Sequence, residues 1–149
     1  MSEAVDDAAL LERFPYARID HDNKYFYRGW LAERLLIQRC EGCAGFHHPP
    51  KPICPRCWSD ALVPTQVSGR GVIHLVMLLH QGPPAEGVDY ARAPHPVVTV
   101  ELEEQEGLRF TSTVVDCPSQ EVRIGLPVEL AWIERSGSPF PVFRPRAGA

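Results

Sequence analysis

A chain of 149 residues has room for one domain, or for one domain carrying a small appendage. Its 19 acidic against 15 basic side chains give a net charge of −4 and a pI near 5.8, which argues against a nucleic-acid backbone as the main partner. Residues 1–9 are polar and acidic with no apolar core of a signal peptide, and no window approaches 18 consecutive apolar residues. The sequence therefore predicts a cytoplasmic protein with no membrane span.

The first apolar group, Leu10, Leu11 and Phe14, reads as a short contact ended by Pro15. The predicted N-terminal helix comes next. Asp22 or Asn23 can cap it, and Tyr27, Trp30, Leu31 and Leu35 fall at i, i+3, i+4 and i+8 on one face. Gly29 in its middle costs about 1 kcal/mol relative to alanine, so the helix depends on packing. That packing is either against the body of the chain or against a partner, since aromatic residues are enriched in interface cores.

An apolar run from residue 35 to 39 then enters Cys40-Glu41-Gly42-Cys43 as a strand, and ten residues later stands Cys54-Pro55-Arg56-Cys57. Two Cys-x-x-Cys turns present four sulfurs to one ion, the first shell of a structural Zn²⁺ held by Cys40, Cys43, Cys54 and Cys57. Iron in a rubredoxin-type site, and two disulfides, are the alternatives. His47 and His48 lie between the pairs, but four thiolates already fill the shell. Trp58, after the last ligand, is expected to cover the site.

Beyond residue 67 the pattern is β. Residues 72–79 form a nearly continuous apolar strand expected to be central, and residues 81–95 a long loop rich in Gly and Pro. Residues 97–103 alternate, with Val98, Val100 and Leu102 on one face, and join residues 108–115 in a hairpin. Residues 122–124, 128–133 and 140–143 supply further short strands. The expected fold is mainly β: an N-terminal segment and helix over 1–36, a four-cysteine zinc ribbon over 37–66, and a small antiparallel OB-fold barrel over 67–149.

No catalytic set emerges. Cys117 lacks a glycine-rich elbow or a helix start to activate it. His74, His80 and His95 have no recognisable nucleophile to serve, and no Ser-His-Asp order or phosphate loop appears. The isolated chain is expected to be without activity.

The chain resembles the OB-fold, acyl-CoA-associated family with a rubredoxin-like zinc ribbon known as domain of unknown function thirty-five. The resemblance rests on Phe26-Tyr27-Arg28-Gly29 with Trp30, on Ile37-Gln38-Arg39-Cys40-x-x-Cys43, and on Pro49-Pro50-Lys51-Pro52-Ile53-Cys54-Pro55-x-Cys57. It continues through Gly69-Arg70-Gly71, Val100-Glu101-Leu102-Glu103-Glu104 and Ile124-Gly125-Leu126-Pro127-Val128. One departure concerns the residue after each second ligand, commonly glycine in such ribbons, which is Ala44 in the first knuckle and Trp58 in the second.

The resemblance implies an accessory subunit that docks on a thiolase-fold enzyme, a thiolase or an aldolase such as those that shorten steroid side chains, and helps hold an acyl-CoA. It makes Tyr27, Trp30 and Leu31 candidates for the partner interface, and Arg39, Lys51 and Arg56 candidates for a CoA phosphate. The alternative is a single-stranded nucleic-acid module, as OB barrels and zinc ribbons both serve. The acidic hairpin with Glu101, Glu103, Glu104 and Glu106 opposes it.

Overall fold

The computed structural model describes residues 5–147. The chain divides into two units, one of residues 1–67 with 134–140 and one of residues 68–133 with 141–149. Among the described residues no helix is long and apolar enough to cross a membrane.

The first unit has two helices where the sequence suggested one. Asp6 caps α1 (Asp7–Arg13) by accepting from the Ala9 N–H at 2.8 Å. Leu10 and Leu11, read above as part of a bare apolar contact, thus lie on a short helix with Leu10 fully buried, and Phe14 is its C-cap. Arg28 ties α1 to α2 (Lys24–Leu31) through Asp7 at 2.6 Å and through the Val5 carbonyl.

The second helix stops one turn before Leu35. Arg34 N–H returns to the Gly29 carbonyl and Glu33 N–H to that of Trp30, both at 2.9 Å, with Glu33 at φ 53°. This is a Schellman closure with Glu33 where glycine is usual. Gly29 is needed because the chain folds straight back over it: a Cβ there would lie 2.7 Å from the Arg34 carbonyl and 2.8 Å from Leu36 Cγ.

The returning chain forms β1 (Leu36–Cys40), flanked by β2 (Phe46–His47) and β3 (Leu62–Gln66) in the order β2-β1-β3. Both neighbours run antiparallel to β1. The sequence pattern does not mark β3, since Pro64 within it breaks the apolar alternation. It is nonetheless tolerated on an edge strand.

Five strands form a nearly closed antiparallel barrel in the order β6-β5-β4-β7-β8, which makes up the second unit except for the β7–β8 tip, residues 134–140, counted with the first. These are β4 (Gly71–Leu79), β5 (His95–Leu102), β6 (Arg109–Ser112), β7 (Pro127–Arg135) and β8 (Ser138–Pro145). The predicted alternation on β5 holds: Val98, Val100 and Leu102 are buried at 0%, 0% and 1% exposure. Ile73, Val128, Val142 and Phe143 are buried as well. A parallel bridge from Val114 to Phe143 joins the two ends of the sheet.

Two expectations change here. Residues 122–124 are not a strand but follow a 3₁₀ turn (Ser119–Glu121) in open backbone. β4 is the middle strand, yet only its first part is covered on both edges, because β7 pairs with Gly71 and Val72 alone.

The Gly69-Arg70-Gly71 motif is the corner where the barrel starts. Gly69 has φ 81°, and its Cβ would fall 2.3 Å from Leu130 Cβ; one on Gly71 would meet the Glu101 carbonyl at 2.3 Å. Arg70 between them holds Glu103 Oε1 through Nε and Nη2, at 2.9 and 2.6 Å.

Candidate functional site

The two Cys-x-x-Cys segments fold into the same turn. Ala44 N–H reaches the Cys40 carbonyl at 2.8 Å and Cys40 N–H the Gly45 carbonyl at 2.9 Å. In the second knuckle Trp58 N–H reaches Cys54 at 2.9 Å and Cys54 N–H reaches Ser59 at 2.8 Å. Ala44 and Trp58 take φ values of 62° and 64°, so the departure from glycine leaves the geometry intact. Each such residue carries a conformational cost of about 1–2 kcal/mol.

This pairing gathers all four sulfurs. Cys40 and Cys57 Sγ stand 3.5 Å apart, Cys43 and Cys54 Sγ 3.7 Å, and the four atoms lie within 4.8 Å of one another. A disulfide needs about 2.0 Å, and all four cysteines are free. A tetrahedral zinc with Zn–S near 2.3 Å has sulfur–sulfur edges of about 3.8 Å, so the donor set fits. Four thiolates close the shell and leave no open position for a substrate, which makes the role of the ion structural.

The protons on these sulfurs are unevenly held. Burial opposes ionisation of Cys54, but the N–H groups of Cys57 and Arg56 and the neighbouring thiols outweigh it and bring the thiol down to about 6. The N–H of Cys43 pulls Cys40 down against burial. Ser59 N–H favours the Cys57 thiolate, yet its sulfur neighbours and burial push it up to about 11. Four negative charges cannot share this space without a cation, and a divalent ion supplies one.

His47 is the residue that spacing alone did not mark. It pairs with Gln38 across β1, is buried, and brings Nε2 to 3.1 Å from Cys54 Sγ. It sits behind a ligand rather than replacing one, the position from which a ring N–H orients a thiolate. Its neighbour His48 packs against Phe26 at 5.1 Å between ring centres, and burial lowers its pKa to about 4.

The three cations expected at a CoA phosphate are all exposed, and Lys51 and Arg39 line different hollows. Gln38 clamps Lys51 by accepting from its N–H at 2.9 Å and donating to its carbonyl at 2.8 Å. Lys51 then lines a hollow of about 320 Å³ with Tyr25, Phe26, Leu36, Leu62 and Asp60. Arg39 is the next residue on β1 and points to the other face. It lies over the Phe46 ring and lines a different hollow, beside Cys40 and Thr65. Arg56 lies over Gly45, where a Cβ would meet its Nη1 at 2.9 Å.

The expected interface residues lie together on α2 but differ in exposure. Trp30 is only 5% exposed and meets Phe14, Phe26, Tyr27 and Phe140 at ring-centre distances of 4.7–5.6 Å. Its area is thus taken up inside its own unit. Tyr27 and Leu31 are half-buried beside it. The helix shows solvent Tyr25 instead, and Trp58, expected to cover the sulfurs, stands 79% exposed.

Cys117 is half-buried, and burial raises its thiol pKa. His74 and His80 are exposed, a bulge between Ile73 and Leu75 having shifted the register between them.

Fold and site together define a ribbon with a closed four-thiolate centre followed by an OB-type barrel. The family model of the ChsH2 rubredoxin-like zinc ribbon domain matches residues 29–63, and that of the ChsH2 C-terminal OB-fold domain residues 64–133. The chain belongs to this family, DUF35. It is 34% identical over 132 residues, 88% of its length, to a probable enoyl-CoA hydratase alpha subunit of Thermomonospora curvata, of which it spans 40%. It is 33% identical to a DUF35 domain-containing scaffold protein of Methanocaldococcus jannaschii, covering 72% of this chain and 76% of that one. Among solved structures it is similar to a chain of an Ltp2-ChsH2(DUF35) aldolase, with 34% identity, a TM-score of 0.76, and coverage of 87% and 98%. A DUF35 protein of unknown function from Sulfolobus solfataricus shares the fold at 14% identity and a TM-score of 0.59, with coverage of 91% and 92%.

Proposed function

We propose that this chain is a cytoplasmic accessory subunit, without catalysis of its own, that docks on a thiolase-fold enzyme and helps it hold an acyl-CoA. The observation that carries the reading is the likeness to the DUF35 chain of the Ltp2-ChsH2 aldolase, nearly end to end for that chain at 34% identity. An aldolase that shortens acyl side chains, those of steroids included, is therefore the first partner to try. The scaffold naming of the Methanocaldococcus relative supports the same role.

In this reading one Zn²⁺ on Cys40, Cys43, Cys54 and Cys57 fixes the ribbon and performs no chemistry on the substrate. Lys51 is the cation that stands over an aromatic-walled hollow, and it is the one assigned to a CoA phosphate. Trp58 is assigned as the docking anchor. A tryptophan held in a left-handed conformation and left almost wholly in solvent gains nothing inside its own fold, and tryptophan leads the residues that dominate interface energies.

Capture with the tagged, zinc-loaded chain from its own cells, followed by gel filtration with the enzyme recovered, tests the reading. A thiolase-fold enzyme should be retained, and Trp58→Ala should weaken the complex by at least ~30-fold, as loss of a 2 kcal/mol hot spot does. Capture of single-stranded nucleic acid in place of an enzyme would favour the other OB-fold role.

A further inference from the structure

Residues 72–79 hold no aspartate, glutamate, lysine, arginine or proline. Such a run is the pattern of a strand covered on both faces. Instead Val72 is 42% exposed, and only the beginning of β4 is paired on both edges: Ile73, 1% exposed, bonds Leu126 at 3.0 Å and Gly125 at 2.8 Å on the β7 side. Among the described residues, β4 pairs from Leu75 onward with β5 alone. Leu75 and Met77 are then 53% and 52% exposed, on one face, and Leu78 is 38% exposed on the other. Open edges in soluble proteins are normally guarded by lysine, proline or inward charge, and residues 75–79 have none of these.

The direction of the free backbone groups follows from Pro96, which stands opposite Leu78. Proline has no N–H to exchange, and the Pro96 carbonyl accepts from Thr113 Oγ1 at 2.6 Å, away from β4. Leu78 and Pro96 are therefore a pair without mutual hydrogen bonds, and by alternation so are Val76 and Val98. The N–H and C=O of Val76 and Leu78 point out of the sheet edge, two donors and two acceptors placed symmetrically about Met77.

We propose that this edge is a self-association site, where a second copy of the chain pairs antiparallel about a two-fold axis through Met77. Val76 then faces Leu78 of the second copy, and Leu78 faces its Val76, closing four backbone hydrogen bonds. Met77 faces Met77, and Leu75 faces Leu79 across the same side of the joined sheet. A two-fold pairing sets any charge in residues 76–78 against its own twin or across a short diagonal from it. A charge-free strand with apolar side chains on both faces, and with outward groups symmetric about one residue, meets that condition. A pairing with a different protein would not require it.

Light scattering on the full, zinc-loaded chain across a concentration series reads the outcome. The wild type should approach twice 16.7 kDa, and Met77→Lys and Val76→Pro should each halve that mass with an unchanged circular dichroism spectrum. The proline removes only an outward N–H, where an edge strand accepts it. Air oxidation of Met77→Cys should yield a covalent dimer that the wild type, treated alike, does not. A wild type at 16.7 kDa at the highest concentration would overturn the proposal. So would a dimer that survives both substitutions, failure of Met77→Cys to cross-link, or protection of this edge from hydrogen exchange only when an enzyme partner is added.

Discussion

The ribbon and the outer half of β4 each leave uncovered what a folded chain normally satisfies, but they differ in kind. In the ribbon the unsatisfied groups are four sulfurs within 4.8 Å of one another, and two turns seven residues or fewer in span set their positions. In β4 the unsatisfied groups are apolar side chains and backbone amides spread along residues 75–79. A single ion completes the first, whereas only another length of chain can complete the second. Stability should accordingly depend on metal in one region and on protein concentration in the other.

The largest expected effect breaks the ribbon alone. Cys54→Ala, or removal of the metal by a chelator, should abolish amide protection over residues 36–66, since ligand thiolates and fold form together and metal binding contributes on the order of 10 kcal/mol in small zinc modules. Hydrogen exchange of residues 98–102 should be little changed. Uniform loss of protection across both regions would show that they are not separable.

Within the barrel the two halves can be set against each other. Phe143→Ala removes a fully buried ring and should cost about 3–5 kcal/mol in denaturant unfolding. Leu75→Ala, at 53% exposure, should cost under about 0.5 kcal/mol in dilute solution. A large loss at Leu75 under monomeric conditions would mean that β4 is covered within its own chain.

His47→Leu should raise metal loss to a competing chelator about 10–100-fold while leaving the ribbon foldable with excess zinc, because a partner behind the ligand sets its orientation. His47→Gln, which restores an N–H donor, should recover part of that. The smallest effect is expected at Ala44, whose positive φ glycine adopts freely. Ala44→Gly relieves about 1–2 kcal/mol of strain against about 0.5–1 kcal/mol of added chain entropy, so the melting temperature should rise slightly.

The same contrast explains what could be read from residues. Cysteine spacing is a local constraint, so Cys40, Cys43, Cys54 and Cys57 were legible at once, as was the alternation of Val98, Val100 and Leu102. Trp30 was legible as half of a contact only: its periodicity showed a buried face, and nothing local said that Phe14 and Phe140 would fill it. The role of His47 depends on strand register opposite Gln38, which neighbouring histidines do not reveal. Arg39 and Lys51 looked like one cluster beside the ribbon, and the two-residue repeat of β1 sends them to different hollows. Trp58 follows a ligand, a position that reads as a cover, but on its left-handed backbone it stands in solvent.

The central claim is that the chain acts through an enzyme it does not itself contain. Acyl-CoA cleavage measured with a thiolase-fold aldolase partner, with and without the zinc-loaded chain, tests this most directly. No turnover by the chain alone, and a marked rise in partner activity when wild type but not Cys54→Ala is added, is the predicted result. Turnover by the chain alone, or full partner activity in its absence, would contradict it.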